Sequence, residues 1–126
     1  CRLLPDQSPE AFLQELGDIL GGAVDVETLM GFTPASSSAE TGLFRTIEDV
    51  THDHYPGAHV VPSVLQAFTD SHFLRDLGIT AYGFRPVAIP IEDSGGVHGN
   101  NERISVENVR LGVTAMSDIV RSWVVD

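Results

Sequence analysis

Apolar residues Phe12, Leu13, Leu16, Ile19 and Leu20 recur at three- and four-residue steps, the spacing that lines one face of an α-helix. Ahead of them, Ser8-Pro9-Glu10 supplies an N-cap, a proline for the first turn and an acid at the positive end of the helix dipole. Gly21-Gly22 stops the run. Over residues 24–29, Val24, Val26 and Thr28 alternate with Asp25, Glu27 and Leu29, which predicts a half-buried strand. The opening Arg2-Leu-Leu before Pro5 reads as the tail of another strand. The first thirty residues are therefore expected to run strand end, helix, strand, in a sequence that is part of something longer.

Residues 33–38, with Pro34 and three consecutive serines, have the composition of a linker. Ser37 and Glu40 have capping-box spacing, and Leu43, Phe44, Ile47 and Val50 form the apolar face of a helix ending before Pro56-Gly57. Short apolar runs at 58–61 and 79–84, closed by Pro62 and by Arg85-Pro86, suit buried strands covered by helices. Between them Asp70 is placed to cap a helix from Ser71 to Leu77, with Gly78 at its stop. A turn-rich loop from Pro90 to Gly96 follows. Ser105 then opens a last helix from about Val106 to Trp123, with Val106, Val109, Val113, Met116, Val120 and Trp123 as its core stripe. This order predicts an α/β fold, a small sheet with the last three helices packed on it, and a division into residues 1–33 and 34–126.

Composition narrows the partners. A chain of 126 residues with 42% hydrophobic content can bury a core, and no apolar run approaches the roughly 20 residues that cross a bilayer. It is read as soluble. Seven Lys+Arg against 18 Asp+Glu give a net charge of −11, which repels phosphate backbones, so nucleic acid is not expected as a partner. The single cysteine, Cys1, forms neither an internal disulfide nor a cysteine-based zinc cluster, and it leaves the compartment open.

Chemistry concentrates at residues 98–104, His-Gly-Asn-Asn-Glu-Arg-Ile. His98 sits at a loop tip between turn formers and a helix, and Glu102 is an acceptor able to fix the ring or the loop around it. By itself the pattern reads first as a surface histidine in a turn, since a zinc site needs about three or four protein ligands. His52 and His54, two apart near a fraying helix end, lie on different faces and are not expected to chelate. Thr69-Asp70 is expected at a strand-to-helix turn, where α/β sheets line their ligand crevice. There is no glycine-rich phosphate loop and no GxSxG elbow.

A series of motifs in order, Arg2-Leu-Leu-Pro, Tyr55-Pro-Gly, Phe68-Thr-Asp-Ser-His-Phe-Leu-Arg75, Gly78-Ile-Thr-Ala-Tyr-Gly-Phe-Arg-Pro86 and His98-Gly-Asn-Asn-Glu-Arg-Ile104, resembles the C-terminal end of the co-catalytic zinc metallopeptidases. These include aminoacylases, carboxypeptidases of the glutamate-releasing and yeast vacuolar types, acetylornithine deacetylase and succinyl-diaminopimelate desuccinylase. The resemblance implies amide hydrolysis at a two-zinc site by a metal-activated water and a glutamate base. It implies that His98 is a ligand of one zinc ion, that Arg2 contacts a substrate carboxylate, and that Thr69 lies beside the substrate.

By the same resemblance, residues 1–33 are the end of a lid or dimerisation domain and 34–126 the returning part of the catalytic domain. The other metal ligands and the catalytic glutamate are then expected upstream, in an N-terminal remainder, and no catalytic residue is assigned here. The chain is expected to act on N-acyl amino acids or short peptides only as part of the intact enzyme, for which a homodimer is a further implied partner. Three positions depart from the family pattern. Ala67-Phe68 replaces a glycine before the threonine, His72 stands in place of an arginine, and Asn101 stands where aspartate is common. The reading from another class is a non-catalytic α/β binding or association module that keeps the family framework.

Overall fold

The structure, a computed structural model, describes residues 1–126 apart from Arg2, Thr33, Gln66 and Asp126. Its helices among the described residues are α1 (Pro9–Leu20), α2 (Gly42–His54), α3 (Ser71–Asp76), α4 (Ile91–Ser94) and α5 (Val106–Val125). They are distributed over two compact units, one made of Cys1–Ser38 and Ser63–Gly83, the other of Ala39–Pro62 and Phe84–Asp126.

The expected α/β fold, a small sheet with covering helices, is not found: no strand occurs among the described residues. Residues 24–29, 58–61 and 79–84 run without regular hydrogen bonding. An extended segment becomes a strand only when a neighbouring backbone takes up its N–H and C=O groups. Here side chains take that place. The Ala81 N–H donates to Ser37 Oγ at 3.1 Å, and its C=O accepts from Ser37 Oγ at 3.1 Å and from Arg75 Nε at 3.0 Å. Likewise Ala88 donates to Asn108 Oδ1 at 3.2 Å and accepts from Asn108 Nδ2 at 2.8 Å.

In the first unit, α1 starts and stops as its sequence predicts. Ser8 Oγ accepts from the Ala11 N–H at 3.2 Å with Pro9 in the first turn, and Gly21, at φ 60°, ends the helix with its N–H on the Gly17 carbonyl. No residue of α1 is buried. The stop of α3 is a Schellman motif. Gly78, at φ 75°, donates to the Arg75 carbonyl at 2.8 Å, and Ile79 donates to that of Leu74 at 2.9 Å. Its start differs from expectation, because Asp70 is itself helical and makes no side-chain capping bond.

The second unit is built on α2 against α5. Ile47 and Val50 from α2 meet Ala115 and Ile119 from α5 in its buried apolar core, each large aliphatic side chain contributing about 1.5–3 kcal/mol. The cap of α2 is Thr41, whose Oγ1 accepts from the Phe44 N–H at 3.0 Å. Ser37, expected as the capping-box serine, is instead committed to Ala81. Ser105 Oγ caps α5 through the Asn108 N–H at 3.1 Å.

The face that α5 buries is not the expected stripe. Gly112, Ala115 and Ile119 are buried, whereas Val106 is 86% and Val113 63% exposed. Each buried position is one residue before a stripe position, a rotation of about 100° around the helix. Small residues cause the shift: only Gly112 lets the chain at Pro86 and Val87 lie against the helix.

Candidate functional site

The loop from Pro90 to Ile104 belongs to the second unit and is more ordered than a plain loop. Pro90 starts the single turn α4, with its carbonyl accepting from Asp93 at 3.0 Å and Ser94 at 3.1 Å. The Gly96 N–H then donates to the Asp93 carbonyl, and that of Gly99 to the Gly96 carbonyl at 2.8 Å. A side chain at Gly99 would crowd the Gly96 oxygen, only 3.1 Å from an added Cβ.

At the tip of these turns, His98 takes φ 61°, the left-handed region that a non-glycine residue occupies at a cost of about 1–2 kcal/mol. Its backbone N–H donates to Glu102 Oε2 at 3.1 Å. Glu102 thus fixes the loop beneath the histidine and leaves the exposed imidazole facing outward from a strained, held backbone. Asp93 is engaged elsewhere, by the Arg103 guanidinium, whose Nε lies 2.7 Å from Asp93 Oδ1. With Glu102 and Asp93 both tying the loop together, His98 is left exposed at its tip. Among the described residues no group of three or more His, Cys, Asp or Glu side chains is placed to hold a metal ion. The imidazole suits a zinc ligand, but the donor set within this chain does not make a zinc site.

Thr69 lies in the first unit, exposed, immediately before α3, with its carbonyl accepting from the His72 N–H at 3.4 Å. Arg2, the other expected substrate contact, lies outside the described residues.

Next to Thr69 is His72, noted in the sequence only as a departure from the family pattern and not expected to be buried among aromatic rings. His72 is buried, 9% exposed, and packed among three phenylalanine rings whose centroids lie 4.7 Å (Phe32), 4.8 Å (Phe68) and 3.8 Å (Phe73) from its own. Its Nδ1 is buried without a hydrogen-bond partner. Phe68, His72 and Phe73 are close in sequence, but Phe32 comes from forty residues before His72 in the chain, which no local pattern could signal.

The two histidines of α2 part company. His52 is exposed and meets His59 edge-on at 6.3 Å. His54 is not on a fraying end, because its Nε2 lies 2.8 Å from Asp118 Oδ2 of α5.

The motif carrying His98 and the turn carrying Thr69 fall within one continuous family match. The chain belongs to peptidase family M20/M25/M40, whose model matches residues 7–122, and so to a family of hydrolases that is generally metal-dependent. Among curated proteins it is similar to the N-fatty-acyl-amino acid synthase/hydrolase PM20D1 of Xenopus tropicalis, 31% identical over 121 residues covering 90% of this chain and 24% of that protein. PM20D1.1 of Danio rerio is 35% identical over 88 residues, 68% of this chain and 17% of that protein. The probable carboxypeptidase S-like 1 of Dictyostelium discoideum is 26% identical over 111 residues, 85% and 23% respectively. The chain spans about a quarter or less of the length of these relatives. No solved structure matches it. No helix among the described residues is long and apolar enough to cross a membrane.

Proposed function

We propose that this chain is the C-terminal portion of a zinc-dependent amide hydrolase acting on N-acyl amino acids or short peptides. In this reading His98 is a ligand of one of two zinc ions, Thr69 and Arg2 contact the substrate, and the remaining donors belong to the part of the relatives' length that this chain does not span. Residues 1–33 are then the end of a lid or dimerisation domain and 34–126 the returning part of the catalytic domain. The observation that carries the reading is the family match over residues 7–122, which takes in both the Thr69 turn and the His98 loop. The relatives' own names, N-fatty-acyl-amino acid synthase/hydrolase and carboxypeptidase S-like, support amide bonds as the substrate class. Bound zinc would supply the Lewis acid that polarises the carbonyl and activates water. This chain's part is to hold one imidazole at a fixed place and orientation.

The test is zinc content and turnover of the natural full-length protein. His98→Ala removes an inner-sphere donor and is expected to empty one metal position. Asn101→Ala, a change beside the ligand, is expected to lose about 10–100-fold in affinity or activity, and His52→Ala to change neither. Two zinc ions and a normal rate in His98→Ala would reject the assignment. The 126-residue chain alone is expected to show no chelator-sensitive cleavage of N-acyl amino acids. A full-length protein that binds no zinc fits the non-catalytic module instead.

A further inference from the structure

We infer that Arg103 and Asn108 are positioning residues for His98, tying the two arms of its loop to each other and to α5 so that the imidazole is held in place ahead of metal binding. The inference rests on the reading of His98 as a zinc ligand, and it names what in this chain gives that ligand its fixed place.

A nested set of ties carries it. Asn108 Nδ2 donates to the Ala88 carbonyl at 2.8 Å and Asn108 Oδ1 accepts from the Ala88 N–H at 3.2 Å, a pairing across 20 residues. Inside it, Arg103 Nε donates to Asp93 Oδ1 at 2.7 Å across 10 residues. Each of these pairs has His98 at its midpoint. At the tip, the His98 N–H donates to Glu102. The loop is therefore laced at base, middle and tip around one residue. Its base is anchored as well: α5 carries Asn108 and packs on α2, and Gly112, one turn further along, lets the chain at Pro86 and Val87 lie against the helix just ahead of Ala88.

Global stability does not account for these ties. The Arg103 side chain is 65% exposed, and ion pairs of that kind add little to folding, because water screens them and two side chains must be held still. Packing does not shape the loop either, since no residue from 90 to 104 is buried within this chain. What the ties remove is alternative loop conformations. A ligand on a loose loop has to be ordered when the metal binds, whereas a loop already held forgoes that cost. The left-handed backbone of His98, at φ 61°, sharpens the need, because such a conformation persists only while its surroundings enforce it. The equally exposed pair of Arg110 with Glu107 makes the contrast: it lies within one turn of α5 and joins no two segments.

The test uses the natural full-length protein. Zinc affinity is read by competition with a chelator, hydrogen exchange across the His98 loop is read on the zinc-stripped protein, and thermal unfolding is followed alongside. Arg103→Ala and Asp93→Ala are each expected to weaken one zinc position about tenfold and to speed exchange of the His98 amide, with Tm staying within about 2 °C of the parent. The two together should cost no more than either alone. The exchange of charges, Asp93→Arg with Arg103→Asp, should restore affinity. Asn108→Ala is expected to loosen the loop and weaken the same zinc position, and Arg110→Ala to change neither. Unchanged zinc affinity in Arg103→Ala and Asn108→Ala, where His98→Ala does lose a zinc ion, overturns this inference and leaves the zinc reading standing. An effect of Arg103→Ala that Asp93→Ala does not share gives the guanidinium another task and also overturns it, as does a loss of Tm with exchange raised throughout the protein. Two zinc ions retained by His98→Ala remove the zinc reading, and this inference with it.

Discussion

The carbonyl of Pro86 occupies the space into which any side chain on Gly112 would project. A Cβ added there would lie 3.1 Å from the Pro86 oxygen and 2.9 Å from Val87 Cγ1. The oxygen has little room to retreat, because the Tyr55 hydroxyl donates to it at 2.8 Å. Gly112→Ala would gain about 1 kcal/mol of helix propensity, but overpacking against held backbone costs about 1–3 kcal/mol. The net expectation is a loss of about 1 kcal/mol, read from chemical denaturation. Tyr55→Phe, which frees the oxygen, should reduce that loss in the double variant. A more stable Gly112→Ala protein would show that the contact yields easily.

Ser37 uses all its hydrogen-bonding capacity, donating to the Ala81 carbonyl and accepting from the Ala81 N–H and from Arg75 Nε. Ser37→Ala leaves that N–H without a partner and is expected to cost about 1–2 kcal/mol. Ser36→Ala, one residue away and exposed, should stay within about 0.5 kcal/mol. Amide exchange at Ala81 reads the effect locally, and equal exchange in the two variants would reject the role given to Ser37.

His54 and Asp118 join α2 to α5 with a partly exposed pair. His54→Ala and Asp118→Ala are each expected to lower stability by about 1 kcal/mol, and a double-mutant cycle should return a coupling of about 0.5–1 kcal/mol. His52→Ala should fall within about 0.5 kcal/mol of the parent. A coupling near zero would mean that the pair is held in place by packing alone.

The hydrogen bond from Ser8 Oγ, helped by Glu10's own backbone N–H, holds the Glu10 carboxyl below the usual glutamate range. Its folded value is thus lower than its unfolded one. The stability it adds is present above the unfolded value and is lost as pH falls through the folded value. Protection of the Ala11 amide from exchange should decline with acid in that window, and Glu10→Gln should flatten the decline. The fully exposed carboxyl limits the effect to the first turn of α1.

What the sequence disclosed was local. Ser8, Gly21 and Gly78 act on neighbours three to five residues away, and they cap and stop α1 and α3 as their identities require. What it misjudged was pairing at a distance. The apolar runs at 58–61 and 79–84 have strand composition, but a strand is defined by its neighbour, and at Ala81 in the second run the neighbours are the side chains of Ser37 and Arg75. The periodicity of α5 was correct and its face was not. A hydrophobic pattern weights bulky residues, whereas helix contact was decided by the smallness of Gly112 and Ala115.

The site follows the same division. The His98–Glu102 relation spans four residues and was readable as a means of fixing the loop, although the left-handed backbone of His98 was not. The aromatic surround of His72 needed Phe32, forty residues earlier in the chain, and nothing short of the structure brings it there.

Leu29 and Met30 in the first unit, and Ile91 and Val106 in the second, stand with three quarters or more of their surface in water, while the buried apolar residues among those described are Ile47, Val50, Ala115 and Ile119, all of the second unit. Greasy side chains displayed at this density are what chaperones and quality-control proteases recognise. A cell translating these residues alone would meet them as damaged goods, held back or degraded, and the steady-state level of the polypeptide would report how well its outer surfaces are covered.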